Sequence, residues 1–141
     1  MMNYDEKPFL VIWESTRACD LACVHCRAEA IPTPDKGELN TAEAKALIDS
    51  VAAMGSPVFI FSGGDPLKRA DIFHLVLYAK KKNLRVGLIP AVTPWFSKED
   101  LLKLKKAGVD QLAFSLDAPT AAEHDAFRKV DGVFDRTLEA V

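Results

Sequence analysis

Along this chain, apolar runs of strand length alternate with stretches whose apolar residues recur every three or four positions. Phe9 to Trp13 is near-continuously apolar, the pattern expected of a parallel strand buried on both faces. A long loop follows, containing Pro32, Pro34 and Gly37. Asn40 with Glu43 forms a capping-box pattern, and Leu47, Ile48, Val51 and Met54 then keep helical period up to Gly55. Val58 to Phe61 is a second strand, and Ile72, Leu75, Val76 and Ala79 mark the inner face of a second helix. Arg85 to Val92 is a third strand. Ser97 with Asp100 opens a third helix, with Leu101, Leu104 and Ala107 on one face before Gly108. Gln111 to Leu116 is a fourth strand, Thr120 with Glu123 is another capping-box pattern opening a short helix, and a last helix starts near Phe134.

Four βα units in succession require a parallel sheet with right-handed crossovers. In such α/β folds ligands bind at the carboxyl ends of the strands. Four loops with unusual chemistry fall at that end: the cysteines after the first strand, Gly63 and Gly64 after the second, Thr93 after the third, and Ser115 and Asp117 at the fourth.

Composition narrows the function classes. A 49% hydrophobic, 27% charged chain of 141 residues is an ordinary globular balance, large enough for one domain with its own core. The net charge of -2 supplies no basic surplus for phosphates, so nucleic-acid binding has no support. The run Lys80-Lys81-Lys82 suits the solvated last turn of a helix. Asp5 and Glu6 precede a short apolar run, which does not fit a secretory leader. No apolar stretch is long enough to span a bilayer, and a cytoplasmic location is expected.

The only cysteines are Cys19, Cys23 and Cys26, on one short loop. An odd number at such spacing argues against a disulfide framework and for metal. A structural zinc site wants four ligands, and His25, adjacent to Cys26, is poorly placed to be the fourth. Ferredoxin clusters take four cysteines. Three thiolates suit a 4Fe–4S cluster with one open iron; zinc and buried structural cysteines remain the alternatives on spacing alone.

The segment from Thr16 to Cys26, TRACDLACVHC, resembles the signature of the radical S-adenosylmethionine (SAM) superfamily. Ser62-Gly63-Gly64-Asp65-Pro66 resembles its GGEP motif, with Asp65 in place of Glu. Ser115-Leu116-Asp117 and His124 to Arg128 resemble the subgroup of molybdenum-cofactor, haem-pathway and peptide-maturase enzymes. The resemblance covers nearly the whole chain. It implies a partial TIM-like barrel, with about four βα units of the usual six, so the chain is expected to be the N-terminal portion of a radical SAM core domain.

The resemblance also implies roles. Cys19, Cys23 and Cys26 would each hold one iron, and the fourth iron would chelate SAM. Reductive cleavage of SAM would give a 5′-deoxyadenosyl radical that abstracts hydrogen from a substrate. Gly63, Gly64 and Asp65 match the segment that meets the SAM amino group, Thr93 and Ser115 are candidates for its carboxylate, Asp117 would orient the region, and His25 would lie near adenine. Pro94 and Trp95 depart from the Asn-Gly that many relatives have after this Thr. Arg17 would screen the cluster or cap the loop, and His74, His124, Arg128, Trp13 and Trp95 are expected to be structural. A flavodoxin or ferredoxin would donate the electron; the substrate is not legible, with tetrapyrrole, peptide and cofactor precursor all open. The rival readings are a non-catalytic iron–sulfur or zinc module and an α/β phosphate-binding enzyme.

Overall fold

The computed structural model describes residues 7–55 and 57–141. Asp5 and Glu6, which carry the argument against a leader, lie outside them. The strands β1 (Leu10–Glu14), β2 (Val58–Ser62), β3 (Arg85–Leu88) and β4 (Gln111–Leu112) form one parallel sheet in the order β1-β2-β3-β4. The helices are α1 (Thr41–Ala53), α2 (Ile72–Lys81), α3 (Lys98–Ala107), α4 (Ala121–Arg128) and α5 (Val133–Ala140). This is the expected α/β partial barrel.

Side chains alternate across a strand, so the parallel register sorts the sheet into two faces. Val11, Phe59 and Val86 are register partners, as are Trp13, Phe61, Leu88 and Leu112. This row packs under the helices, against Ala44, Ile48 and Val51 of α1, Ile72, Leu75, Val76 and Ala79 of α2, and Leu104 and Ala107 of α3. Each fully buried aliphatic or Phe side chain contributes about 1.5–3 kcal/mol. The other row, Ile12, Ile60, Gly87 and Gln111, lies on the concave face.

Capping follows the sequence closely. Asn40 accepts from Ala42 and Glu43 while Glu43 returns a bond to the Asn40 N–H. Ser97 and Asp100 make the same reciprocal pair, and Thr120 accepts from the Glu123 N–H.

Three expectations need correction. β1 is not buried on both faces: it is an edge strand, with Phe9 55% and Ile12 53% exposed. The third strand ends at Leu88, because Pro90 has no N–H to pair and Val92 adopts φ 47°. The fourth stops at Leu112; the ladder lasts only while β3 supplies partners, the final bond running from the Ala113 N–H to the Leu88 carbonyl.

The lysine run is not a free basic patch. Lys80 pairs with Asp110 at 2.6 Å and Lys82 with Asp49 at 2.7 Å. Burial works against ionisation of Asp110, but Lys80 and the Val86 N–H outweigh it and hold the carboxyl below the ordinary 3.8. A depressed acid contributes stability that is present above its unfolded value and lost as pH falls through its folded value. The thermal midpoint should therefore fall on acidification below about pH 4, and Asp110→Asn should flatten that fall. An unchanged acid slope in the variant would refute this assignment.

Candidate functional site

The cysteine loop begins as an extension of β1–β2 pairing. The Ser15 N–H donates to the Ser62 carbonyl at 2.8 Å, Gly64 N–H to Thr16 at 2.7 Å, and Asp65 N–H to Ala18 at 2.7 Å. A parallel bridge between Ala18 and Ile31 closes the loop, with Cys19 N–H donating to Ile31 and Ile31 N–H to Arg17. The two glycines make this approach possible. A Cβ on Gly63, whose φ is +141°, would collide with the Thr16 carbonyl, and one on Gly64 would lie 2.5 Å from the Ala18 oxygen. The space left by their missing side chains is filled by the Thr16 to Ala18 backbone.

Arg17 caps the loop: it donates to the Ala28 and Glu29 carbonyls and pairs with Glu29 and Asp35. Thr16 and the Arg17 N–H share Glu38 at 2.8 Å each. On the far side, α4 clasps the loop. The carbonyls of Phe127 and Arg128 accept from Val24 and Ala22, and the Phe127 ring stacks on His25 at 4.3 Å and 11°. Cys19 packs with Leu21 and Val133.

Cys19, Cys23 and Cys26 line one open cleft of about 350 Å³ at the carboxyl end of the sheet, with His25, Gly63, Gly64 and Ser115. Glu14, Ser62 and Arg128 complete much of its wall. Each sulfur accepts one hydrogen bond: Cys19 from the Leu21 N–H at 3.4 Å, Cys26 from the Ala30 N–H at 3.3 Å, and Cys23 from Arg128 Nη1 at 3.6 Å. Burial pushes the Cys19 thiol up to about 11, against the Leu21 bond. Among the described residues, no three His, Cys, Asp or Glu side chains gather as a preformed single-ion site.

Three predicted site residues stand apart from this wall. Asp65 and Thr93 line a neighbouring cleft with Asp20, Lys68 and Trp95. Asp65 accepts from the Leu67 and Ala91 N–H groups, so it joins the turn after β2 to the loop after β3, and burial raises its carboxyl. The Thr93 hydroxyl accepts from the Trp95 N–H. Asp117 binds Arg128 and donates its N–H to His124. Trp95 is 79% exposed and belongs to the rim, while Trp13 packs between Phe59, Phe61 and Arg69. His74 is exposed.

Two arginines carry more than the sequence suggested. Arg69, 8% exposed, donates to the Ser15 and Leu39 carbonyls and to Asp71, tying both ends of the cysteine loop to the start of α2. Arg128 reaches a cysteine sulfur; the signal available was its place in the His124 to Arg128 motif.

The superfamily model for "Radical SAM superfamily" matches residues 13–141, and the chain belongs to that superfamily. It is 46% identical over 132 residues to the AdoMet-dependent heme synthase of Nitratidesulfovibrio vulgaris, covering 94% of this chain and 36% of that one. It is 34% identical over 139 residues to the mycofactocin maturase of Mycobacterium tuberculosis, covering 96% and 34%. The chain therefore spans about a third of the length of these relatives. Its fold superposes on the crystal structure of Streptococcus suis SuiB bound to S-adenosylmethionine with a TM-score of 0.78 at 17% identity, over 95% of this chain and 30% of that one. Among the described residues no helix is long and apolar enough to cross a membrane.

The glycine contact is testable. Gly64→Ala should destabilise the fold by about 1–3 kcal/mol, as overpacking against fixed backbone does. Gly37→Ala, where the added Cβ meets only an Asp35 side-chain oxygen at 3.3 Å, should stay within about 0.5 kcal/mol. Urea denaturation compares the two; equal costs would rule out the backbone-contact account.

Proposed function

We propose that Cys19, Cys23 and Cys26 hold a 4Fe–4S cluster, one thiolate per iron, and that the open iron receives S-adenosylmethionine in the adjoining cleft. The observation that carries this reading is the convergence of three thiols from one loop on a single cleft, each sulfur already accepting a hydrogen bond. The donor set fits: no fourth cysteine is present in the chain, and the cleft is open beside the loop. Hydrogen bonds to sulfur stabilise thiolate and suit cluster ligation. When bound, the pair supplies one-electron cleavage of the sulfonium and a carbon radical for hydrogen abstraction from substrate.

The protein's share is positioning. The Gly63–Gly64 contact and the Ala18–Ile31 bridge fix where the thiols point. Ser115 and the glycine backbone offer polar groups to the amino-acid end of SAM. His25, with one face held by Phe127, presents its other face to an adenine ring. Asp65, Thr93 and Asp117 hold the surrounding loops. Cys19 is the most buried of the three cysteines and is packed against Leu21 and Val133.

We infer further that residues 1–141 are the N-terminal portion of a longer radical SAM domain, whose remaining units would cover the concave face and the exposed Ile12. Similarity to the heme synthase favours a haem-type tetrapyrrole as substrate of the whole protein, with a peptide as the second reading. The electron donor would be a flavodoxin or ferredoxin.

Anaerobic reconstitution with iron and sulfide, followed by dithionite and SAM, should give bound iron and sulfide in equal amounts and release 5′-deoxyadenosine. Cys23→Ala should abolish both. Zinc retained without sulfide would replace this reading with a structural metal site.

A further inference from the structure

The three sulfurs differ in what they accept. Cys19 and Cys26 accept backbone N–H groups, which are neutral; Cys23 accepts a guanidinium. Hydrogen bonds from an ionised donor are about twice as strong as neutral ones. Arg128 is only 8% exposed, so water screens it poorly. Its backbone carbonyl also accepts from the Ala22 N–H of the loop, so both ends of the residue are fixed against the cysteines.

The same guanidinium is shared. Arg128 Nε donates to Asp117 Oδ2 at 2.6 Å, and Nη2 lies 2.5 Å from the same oxygen, so the pair is ionic through both nitrogens. Asp117 is held in turn, its N–H donated to Nδ1 of the fully buried His124 at 3.1 Å. The negative charge of a carboxylate fixed in this way offsets part of the guanidinium's field at the sulfur.

We propose that Arg128 sets the reduction potential of the cluster through Cys23, and that Asp117 sets how much of the Arg128 charge reaches that sulfur. The inference rests on the cluster assignment above. The one-electron-reduced cluster carries one more negative charge than the oxidised cluster. A cationic donor on a ligand sulfur stabilises the reduced form and raises the potential; a nearby carboxylate lowers it. Arg128 is therefore a positioning and tuning residue that acts through Cys23.

The test is a redox titration of the reconstituted full chain, following the reduced cluster by electron paramagnetic resonance. In Arg128→Gln the donor charge is gone and Asp117 remains, so the reduced-to-oxidised ratio at fixed potential should fall about tenfold, which is 59 mV for a one-electron couple. In Asp117→Asn the amide oxygen can still accept from Nε and the backbone bond to His124 is untouched, but the competing charge is removed, so the potential should rise. Opposite signs support the proposal, because simple loosening of the site would move both variants the same way. Shifts of the same sign, or none in either variant, overturn it. If Arg128→Gln fails to fold or takes up no cluster, the sign of the Asp117→Asn shift decides alone. A wild-type chain that binds no iron–sulfur cluster defeats the underlying assignment, and the tuning role with it.

Discussion

The cysteine site depends on one close contact, the backbone of Gly63 and Gly64 lying against Thr16 to Ala18. The contact is the β1–β2 ladder carried beyond the ends of both strands. Because it is a ladder, the sheet register fixes the position of Cys19 relative to the floor of the cleft, and a one-residue slip would send the loop to the other face. A side chain at either glycine would have to push the two backbones apart, and everything attached to the loop would move with them. Arg69 secures the same junction from beneath. Burial alone would raise the Asp71 carboxyl, but hydrogen bonds from Arg69 and Thr41 hold it lower, so the pair stays ionised in a site where an unpaired charge would be costly.

The opposite wall is built in another way. The α4 end contributes two carbonyls, a ring and a guanidinium to the cysteine loop, and α5 contributes Val133. Its polar core is incompletely satisfied: among the described residues His124 Nε2 is buried without a hydrogen-bond partner, while Arg128 Nη2 lies 2.5 Å from Asp117 Oδ2 as an ion pair. An unpaired buried group of the His124 kind costs about 1–3 kcal/mol, and native structures keep few of them. The arrangement shares the Arg128 guanidinium between a carboxylate and a sulfur, which is intelligible if the charge is needed at the sulfur.

Much of this was legible in the sequence because the signals were local. The cap pairs lie within one turn: Asn40 with Glu43 and Ser97 with Asp100 formed reciprocal boxes as read, while Thr120 accepts from the Glu123 N–H and donates its hydroxyl to the Glu123 carboxylate with no bond back to the Thr120 N–H. The face of α2 was correct residue by residue, because 3.6-residue periodicity is visible without knowing the partner. The misreadings involve partners far away in the chain. Apolarity in β1 says nothing about whether a neighbour covers it, and strand length at β3 and β4 is set by the ladder that the adjacent strand can sustain. The site divides the same way. The cysteines, His25, the glycines and Ser115 share one cleft, as their strand-end positions suggested, while Asp65 and Thr93 line a neighbouring cleft and Asp117 pairs with Arg128. The Arg128–Cys23 contact joins residues 105 positions apart, and no spacing rule anticipates it.

The exposed concave face then takes on meaning from its chemistry. Ile12 and Ile60 lie low on it, while Glu14 and Ser62 sit at the carboxyl end beside the cysteines. The face thus grades from apolar to polar along the strands, as the inside of a barrel must if its floor is packed and its mouth holds a charged cofactor. The helix-covered face shows no such gradient: it is apolar from Val11 to Trp13 and from Phe59 to Phe61. One face is finished as a core and the other as the lining of a pocket. The cysteine loop stands at the boundary, where backbone held rigidly by the first face can present its sulfurs to the second.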